Sequence, residues 1–445
     1  MRRIGLTTKS DGPVVAIVGG GASGTILAAQ LARRGIASRL IDGSGRVGRG
    51  VAYSTSDPAH LLNVRAEGMS AWADEPDHFA ERFASEGGSA RGFAERRLFG
   101  RYLGEILDQA RATGLTTVKE ATAVAARRDG ARWRIDFGDA STVNAAAVVL
   151  AIGNQEPEGL RAFQGVGDRF IRNPWGKDAR AAVEDLAESG GAALIVGTGL
   201  TMVDLVLSLD AAGHHGRIVA LSRRGLIPRS HSDFAPAPLA ADDLPEAGLR
   251  GLFRWLRGRS AEVGWRAAVD SLRPHSHALW QGLTPDEQRR FLRHARPWWD
   301  VHRHRIAPEV AATVARLVAE GRLEVMAGRI LGAHEAEGGI DVEMCRRGAG
   351  ESRTTRFDYA FNCTGPLHSI GRSQDPLLRS LLDGGEVRPD HLGIGLAVDD
   401  RCRAAERLWA MGPLTKGRYW EIIAVPDIRE QAAAVAGDIE QELKA

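Results

Sequence analysis

The sequence predicts an α/β protein with two Rossmann-like domains, the second inserted in the first and carrying a helical insertion. An apolar run, a glycine turn and an apolar helical segment follow one another twice, at residues 14–34 and 192–209. After each copy an apolar segment stops at glycine, at residues 145–153 and 357–365, which is typical of a buried parallel strand. The 445 residues exceed one typical domain, and the 53 glycines suit turns between βαβ units.

The first copy has the order of elements that binds a dinucleotide. Val14 to Val18 lead into Gly19, Gly21 and Gly24, in GxGxxG spacing, and a helix follows. The first glycine permits the tight turn, the second lets the backbone approach a pyrophosphate, and the third lets the helix pack on the strand. Asp42 ends the next strand about 20 residues later, where an acid holds the adenosine ribose. We therefore predict dinucleotide binding rather than an ordinary glycine-rich turn.

A glycine-rich loop at residues 43–53 follows, and its length favours a functional role. Residues 60–72 are apolar with embedded polar groups, which suits a flat aromatic ligand, although a plain core crossover is the alternative. The chain then predicts helices at 77–83 and 99–113 and a small antiparallel element from 117–125, 132–137 and 141–143.

The second copy differs at the end of its next strand. Ala192 to Val196 lead into Gly197 and Gly199, and the strand at 217–222 ends in Arg223 and Arg224 instead of an acid. A basic pair at this position suits a 2′-phosphate and favours NADPH over NADH. The alternative is that both arginines only solvate the strand end.

Residues 241–320 predict the helical insertion and contain five of the ten tryptophans, a pattern that is more often core than cofactor site. His302 and His304 stand two apart, on different sides of a helix, so no metal site is predicted. The basic stretch at 302–305 faces an anionic ligand or forms a solvated helix end. Strands at 328–344 and 408–411 and a helix at 425–443 complete the chain.

Composition and charge exclude several classes of protein. The 58 basic and 56 acidic residues give a net charge of +2, so neither nucleic acid nor a membrane surface is an expected partner. The N-terminal apolar run is too short for a signal peptide or a membrane span, and we expect a cytoplasmic protein, with homo-oligomerisation left open. Cys345, Cys363 and Cys402 lie far apart, without the CxxC-type spacing of a redox-active dithiol or a zinc site.

The two-domain plan resembles flavoproteins that hold FAD in the first site and a nicotinamide nucleotide in the second. Finer features resemble the FAD/NAD(P)-binding family that includes FAD-dependent urate hydroxylase and the nitrosuccinate-forming L-aspartate N-monooxygenase. These features are Gly48–Thr55 (GRGVAYST), Leu61–Arg65 (LLNVR), Ser222–Gly225 (SRRG), His302–Arg305 (HRHR), Trp420–Glu421 and Val425–Arg429 (VPDIR). Disulfide reductases share the plan but need the cysteine pair that is missing here.

The resemblance implies FAD, NADPH (or NADH), molecular oxygen and a small-molecule substrate. The implied domains are 1–160 and 366–445 for FAD and 161–365 for NAD(P)H, with the helical insertion at about 241–320. The implied FAD contacts are Gly19, Gly21, Ala22, Ser23, Gly24, Asp42, Gly43, Ser44, Arg49, Gly50, Tyr53, Asn63, Val64, Gly153, Gly365, Gly412, Trp420 and Ile423. The implied NAD(P)H contacts are Gly197, Gly199, Leu200, Thr201, Arg223 and Arg224.

The candidate catalytic residues are Asn63, Arg65, Asp204, His302 and His304. Asp204 stands where disulfide reductases place an acid near flavin and nicotinamide, and a solvent-facing helical Asp is the alternative. The favoured function is a flavin monooxygenase that hydroxylates a small polar substrate, either a urate-like purine or an amino acid at nitrogen. The alternatives are an NAD(P)H-dependent flavin dehydrogenase or reductase without oxygen insertion, and a non-catalytic nucleotide-binding sensor.

Overall fold

A computed structural model describes residues 13–245 and 247–444 of the chain. The strands of these residues, numbered in chain order, are β1 (Val15–Val18), β2 (Ser38–Ile41), β3 (Thr116–Lys119), β4 (Ala123–Asp129), β5 (Arg132–Phe137), β6 (Thr142–Ala145), β7 (Ala147–Leu150), β8 (Phe170–Ile171), β9 (Ala193–Val196), β10 (Ile218–Ser222), β11 (Leu323–Ala336), β12 (Gly339–Arg346), β13 (Ser352–Phe357), β14 (Tyr359–Asn362), β15 (Arg403–Ala405) and β16 (Leu408–Ala410).

The helices of the described residues are α1 (Ala22–Arg33), α2 (Gly50–Tyr53), α3 (His78–Ala84), α4 (Arg96–Ala112), α5 (Lys177–Ser189), α6 (Leu200–Ala211), α7 (Leu249–Val263), α8 (Trp265–Ser271), α9 (Ser276–Gly282), α10 (Pro285–Arg290), α11 (Arg296–Arg303), α12 (Pro308–Ala319), α13 (Pro376–Asp383) and α14 (Val425–Lys444). In this part of the chain, no helix has both the length and the apolar character of a membrane span.

Two large sheets repeat one plan. The first has the strand order β15-β16-β7-β1-β2-β3, and the second has the order β13-β12-β11-β10-β9-β14-β8. In each, the strand before the glycine turn (β1 or β9) pairs in parallel with the strand after the next helix and, on its other side, with a strand from later in the chain. Strand order therefore reverses beside β1 and beside β9, and α/β folds bind ligands in the crevice at such a point. The predicted fold class is confirmed.

The first sheet contains strands from both ends of the chain, and all strands of the second sheet (β8 to β14) lie between β7 and β15 in sequence. The part of the protein built around the first sheet is called the first unit, and the part built around the second sheet is called the second unit. Strand β16 pairs in parallel with β7, and the closing helix α14 packs against α1. One face of this sheet is covered by α1, α4 and α14, whose apolar side chains form a continuous core with β1 and β7. The four residues of β1 and the four of β9 are all buried, because each sheet is covered on both faces.

The small antiparallel element forms, with one correction. Strands β4, β5 and β6 make the three-stranded antiparallel sheet. The prediction of one strand over residues 117–125 was wrong at its start, because Thr116–Lys119 instead pairs in parallel with β2 at the edge of the first large sheet. Strand β2 thus has β3 as its second neighbour, and the antiparallel sheet begins only at Ala123.

The predicted helical insertion forms α7 to α12, with a π-helical turn at Phe291–Ala295. Helix α10 begins with a capping box. The Thr284 hydroxyl accepts a hydrogen bond from the backbone N–H of Glu287, and the Glu287 carboxylate accepts one from the backbone N–H of Thr284. Trp280, Phe291 and Trp420 form the aromatic core of the insertion. Trp255, Trp280 and Trp299 belong to the apolar cores of this region, in agreement with the sequence prediction, whereas Trp265 and Trp298 lie outside those cores.

Candidate functional site

The first glycine turn contains two kinds of glycine. A Cβ atom on Gly19 would lie 2.3 Å from the carbonyl oxygen of Ala151, and one on Gly24 would lie 1.9 Å from the carbonyl oxygen of Gly19. Both positions are therefore glycine because of packing inside the protein, and Gly19 also has a positive φ of 107°. A Cβ on Gly21 would meet nothing closer than 3.5 Å, at the Cα atom of Gly50. The open space above Gly21 is where a ligand backbone can approach.

Gly21 is also the N-cap of α1, and no side chain caps that end. The first turn of α1 contains no acidic residue, so its backbone N–H groups and positive dipole end stay available to an anion. Ser23 is buried in this first turn, and a Cβ on Gly412 would lie 3.0 Å from its hydroxyl oxygen. The fold therefore brings the predicted contacts Ala22, Ser23 and Gly412 to one helix end.

The second glycine turn reproduces the first. Gly197 has a φ of 115°, and a Cβ there would lie 2.1 Å from the carbonyl oxygen of Cys363. Gly199 caps α6 with φ −87° and ψ −161°, close to the φ −76° and ψ −165° of Gly21. No protein atom lies within 4 Å of a Cβ on Gly199. The second turn thus offers the same open approach to a helix end, beside Leu200 and Thr201.

The two strand ends next to these turns differ in charge. The Asp42 carboxylate accepts hydrogen bonds from the backbone N–H of Gly20 at 2.7 Å and from the backbone N–H and the hydroxyl of Ser44 at 2.7 and 2.5 Å. The two turns are aligned by equivalent backbone hydrogen bonds: the first glycine of each turn, Gly19 or Gly197, donates to a residue at the end of the next strand, Ile41 or Leu221. The residue that follows is Asp42 in the first copy and Ser222 in the second, so these two positions are equivalent.

Ser222 is neutral, and its hydroxyl lies 2.8 Å from that of Thr198. Arg223 follows and is exposed, and the guanidinium of Arg224 lies 5.9 Å from the centre of the Trp298 ring. The second strand end therefore has two cations where the first has an acid. This arrangement suits a 2′-phosphate at the second site and disfavours one at the first.

The loop after Asp42 folds back over the first glycine turn. Gly48 donates a backbone hydrogen bond to Gly20. Gly50 has a φ of 62°, and a Cβ atom there would lie 2.9 Å from the Cα atom of Gly21. Arg49 between them is exposed. Tyr53 at the end of α2 packs edge-on against Phe99 at 4.7 Å, and burial raises the pKa of Tyr53 to about 12, so its hydroxyl stays protonated. Gly43 is required by packing, since a Cβ there would lie 2.2 Å from the Thr122 hydroxyl.

The segment with Asn63, Val64 and Arg65 connects the two units. The carbonyl oxygen of Asn63 accepts a hydrogen bond from Nε2 of His231, which follows β10, at 3.0 Å. Val64 packs against the core of the first sheet. Arg65 donates to the Asp233 carboxylate at 2.8 Å and to the carbonyl oxygen of Arg91 at 2.5 Å. The Arg65 guanidinium therefore already has protein partners.

Asp204 is buried in the interface between the units. Its carboxylate accepts two hydrogen bonds of 2.9 Å from the guanidinium of Arg96, and its carbonyl oxygen lies 3.0 Å from Nε2 of His60. The alternative of a solvent-facing Asp204 is wrong, because only 6% of the residue is exposed. Nδ1 of His60 lies 2.9 Å from the Thr55 hydroxyl, and Ser208 donates to Asp57, so the network extends along α6. The sequence interpretation missed Arg96 and His60, since neither belongs to a local motif.

A cleft of about 830 Å³ opens beside this network. Loop residues 45–60 of the first unit line one wall, and α5 and α6 of the second unit line the other. Arg46 spans it, donating to the carbonyl oxygen of Trp175 at 3.4 Å. Thr201 and Asp204 of α6 line the cleft, so the first turns of α6, directly after the second glycine turn, border it.

His302 and His304 have separate surroundings. His302 lies edge-on to Trp265 at 4.9 Å, with Nδ1 2.7 Å from the carbonyl oxygen of Trp298. His304 faces Glu421, with 3.9 Å between Nε2 and Oε1, and burial lowers the pKa of His304. Within residues 13–245 and 247–444, no group of three or more His, Cys, Asp and Glu side chains is arranged to hold a metal ion.

Glu421 was not predicted as a site residue, although it follows Trp420 directly. It has a φ of 73°, which is strained for a residue with a side chain. Its buried carboxylate accepts hydrogen bonds from Arg303 at 3.1 Å and from the indole N–H of Trp299. Glu421 thus joins α11 to the segment that enters α14. The positive φ could not be read from the residue type, because Glu rarely adopts it.

The remaining predicted FAD contacts lie in several places. Trp420 stacks on Trp280 with 4.9 Å between ring centres and is part of the core of the helical insertion. Ile423 is 43% exposed. Gly153 and Gly365 end the two apolar segments with positive φ values of 70° and 90°, and no protein atom would contact a Cβ at either. A role in cofactor binding for Trp420, Ile423, Gly153 and Gly365 stays a prediction.

Comparison with known proteins agrees with this geometry. Residues 16–155 match a sequence family described as FAD-NAD(P)-binding. An uncharacterized protein of Mycobacterium tuberculosis is 30% identical over 132 residues, which are 28% of this chain and 25% of that protein. The chain therefore matches only about a quarter of the length of its curated relatives.

Two solved structures share the fold over almost the whole chain. L-lysine 6-monooxygenase from Pseudomonas syringae has a TM-score of 0.68 at 17% identity, covering 97% of this chain and 99% of that one. The ornithine N-hydroxylase of Kutzneria sp. 744, described with reduced FAD, NADP⁺ and L-ornithine, has a TM-score of 0.65 at 17% identity with the same coverage. Residues 16–155 therefore resemble an FAD-NAD(P)-binding domain, and the chain shares the fold of these two structures.

Proposed function

We propose that the protein is an FAD-dependent, NADPH-consuming monooxygenase that hydroxylates a small polar substrate, with N-hydroxylation of an amino acid as the favoured reaction. The observation that carries this proposal is the repetition of one open glycine turn, at Gly21 and Gly199, at the strand-order reversal of each large sheet. Two such turns supply one site for a flavin and one for its reductant.

The first turn fits FAD. The space over Gly21 and the uncapped end of α1 suit the pyrophosphate, and the Asp42 carboxylate, oriented by Gly20 and Ser44, suits the adenosine ribose. Gly412 adds a backbone N–H that donates to Gln431, which fixes the turn beside Ser23. Bound FAD supplies the redox chemistry and, with molecular oxygen, the transfer of an oxygen atom.

The second turn fits NADPH. Gly199 and the N-terminus of α6 suit its pyrophosphate, while Arg223 and Arg224 provide the charge that a 2′-phosphate needs. The neutral Ser222 in the position of Asp42 avoids repulsion between a carboxylate and that phosphate. NADPH is therefore proposed over NADH.

In this proposal the two sites act together across the interface between the units. Leu61 and Phe93 of the first unit pack against the core of the second, and the Asn63 carbonyl is held by His231 of the second. Packing at these contacts excludes water locally, while the cleft of about 830 Å³ beside Asp204 leaves an open approach to the interface. The Arg96–Asp204 ion pair orients α6 relative to the first unit, and we assign both residues a positioning role.

The substrate class is proposed from the fold likeness and the sequence resemblance. The lysine and ornithine hydroxylases that share the fold act on amino acids, according to their names. Arg65, Arg303 and Arg305 are already paired with Asp233, Glu421 and Asp270, so their charges do not select a substrate. The sequence resemblance adds L-aspartate and urate as candidates. L-Ornithine, L-lysine, L-aspartate and urate are therefore the first substrates to examine.

The test measures NADPH oxidation, oxygen uptake and peroxide release by the flavin-loaded protein with each of these compounds. We expect a true substrate to accelerate NADPH oxidation and to lower the fraction of oxygen that is released as peroxide, with a hydroxylated product detected by mass spectrometry. Fast reduction of an artificial electron acceptor, with slow oxygen uptake under every condition, would instead establish a dehydrogenase or reductase. A protein that binds FAD and NADPH but passes no electrons to any acceptor would be a nucleotide-binding sensor.

A further inference from the structure

Neighbouring tryptophans on α11 have opposite environments. Trp299 points inward, where it packs in the core of the helical insertion and donates its indole N–H to Glu421. Trp298 is 45% exposed, which makes it one of the few large apolar side chains on the surface of the described residues. Such an exposed indole offers a flat face on which another ring can stack.

Trp298 lies beside the end of β10. The guanidinium of Arg224 is 5.9 Å from the centre of the Trp298 ring, and Arg223 precedes it in an exposed position. The loop that follows these arginines is tied to α11, because Arg229 donates a backbone hydrogen bond to Val301 and accepts one from Ile306. The strand end and the indole are therefore held in a fixed relationship by the fold.

The backbone of Trp298 is held within its own helix. Its carbonyl oxygen lies 2.7 Å from Nδ1 of His302, whose ring packs against Trp265. The acid nearest in sequence, Asp300, is paired with Arg296 at 3.2 Å and so presents no free negative charge to an incoming phosphate. The surface next to Arg223 and Arg224 thus combines an aromatic face with positive charge.

We propose that Trp298 is the stacking platform for the adenine ring of the nucleotide whose 2′-phosphate binds Arg223 and Arg224. The inference rests on the proposed assignment of NADPH to the second glycine turn, and it gives the helical insertion a role in binding the reductant. The Trp298 ring lies 5.9 Å from the Arg224 guanidinium, so an adenine ring whose 2′-phosphate binds Arg224 would meet the indole. Stacking on an aromatic side chain strengthens binding of the base and does not depend on the 2′-phosphate.

The test separates base binding from phosphate binding. Calorimetric titrations of the flavin-loaded protein use 2′-phospho-ADP-ribose and ADP-ribose, which share the adenine ring and differ only in the 2′-phosphate. Trp298→Leu should weaken both ligands about tenfold, in the range that base–aromatic stacking gives. The double variant Arg223→Ala/Arg224→Ala should weaken only 2′-phospho-ADP-ribose. Trp298→Phe, which keeps an aromatic face, should recover most of the affinity.

The controls make each outcome decisive. Val318→Ala removes an equally exposed apolar side chain, on α12, and should leave both affinities unchanged. If Trp298→Leu weakens only the phosphorylated ligand, the indole acts through Arg224 and stacking is refuted. If Trp298→Leu changes neither affinity while the arginine variant is selective, the inference fails and the proposed NADPH site stands. If the wild-type protein binds neither ligand, the proposed site and the inference fail together.

Discussion

The guanidinium of Arg96 and the carboxylate of Asp204 form a buried ion pair with two hydrogen bonds of 2.9 Å each. Arg96 begins α4 of the first unit, and Asp204 lies in α6, directly after the second glycine turn. Their side chains are only 10% and 8% exposed, and the carbonyl oxygen of Asp204 also contacts His60 of the first unit. The two units are therefore fixed to each other next to the site proposed for the reductant.

Removing one member of this pair should destabilise the protein strongly. Asp204→Asn keeps the shape of the side chain but leaves the Arg96 charge buried without a counter-charge, which costs about 3–5 kcal/mol. We expect a markedly lower midpoint of thermal unfolding, measured by circular dichroism. The apolar double variant Arg96→Met/Asp204→Leu should recover part of the loss. Arg82→Ala, which breaks an exposed pair with Glu86, should cost about 1 kcal/mol or less.

The glycines of the first turn should respond differently to alanine. Gly21→Ala should fold, since its Cβ meets no atom closer than 3.5 Å, but should lose FAD because the methyl group occupies the space for the pyrophosphate. Gly24→Ala should fail to fold, because its Cβ would lie 1.9 Å from the carbonyl oxygen of Gly19. The matched control is Gly437→Ala, in an open position of α14. Flavin absorbance and circular dichroism distinguish the three, and a yellow, fully loaded Gly21→Ala protein would contradict the assignment.

The arginines after β10 should determine the choice of nicotinamide nucleotide. Arg223→Ala/Arg224→Ala should lower kcat/KM for NADPH by a factor of about 10 or more while changing that for NADH little, since charge-assisted phosphate contacts are among the stronger hydrogen bonds. Flavin reduction under anaerobic conditions, followed at the flavin absorbance maximum, measures both. An equal loss with the two nucleotides would show that the arginines only support the strand end.

Stability should fall as the pH is lowered below about 6.5. Burial, aided by the charges of Arg305 and Arg65, lowers the pKa of His231 from 6.5 to about 4. The unfolded chain therefore binds a proton at His231 between pH 6.5 and 4 that the folded protein does not, so the free energy of unfolding decreases across this window. The contribution of this one group is roughly 2 kcal/mol after allowance for partial exposure.

His231→Gln tests this effect, because glutamine keeps a donor for the Asn63 carbonyl but does not titrate. Urea unfolding at pH 7 and pH 4.5 should show a smaller difference for the variant than for the wild type. Some pH dependence should remain, since burial also lowers the pKa of His368 to about 4. The exposed His334, substituted in the same way, serves as the control. An unchanged pH dependence in His231→Gln would show that His231 titrates alike in the folded and unfolded states.

The sequence by itself determined the repeated strand, glycine turn and helix, the charge difference between Asp42 and Arg223–Arg224, and the helical insertion. These features are local: a buried strand needs an apolar run, and the turn needs glycine where φ is positive or where two backbones approach. In the structure, Gly19 and Gly197 both have a positive φ, and both lie against a backbone carbonyl oxygen of a neighbouring strand end. The prediction of one strand over 117–125 was wrong at its start because Thr116–Lys119 pairs in parallel with β2, and the pairing of a short strand is decided by the whole sheet.

Only the tertiary structure decided which side chains meet between the units. Arg96 and Asp204 are 108 residues apart and His231 and Asn63 are 168 apart, so no local pattern relates them. The pairing of Glu421 with Arg303 and the exposure of Trp298 beside Trp299 likewise depend on how α11 packs. Such contacts depend on the relative placement of elements that fold from distant parts of the chain. The physical reason is that burial and pairing of a polar side chain are properties of the packed interface and not of the residue type.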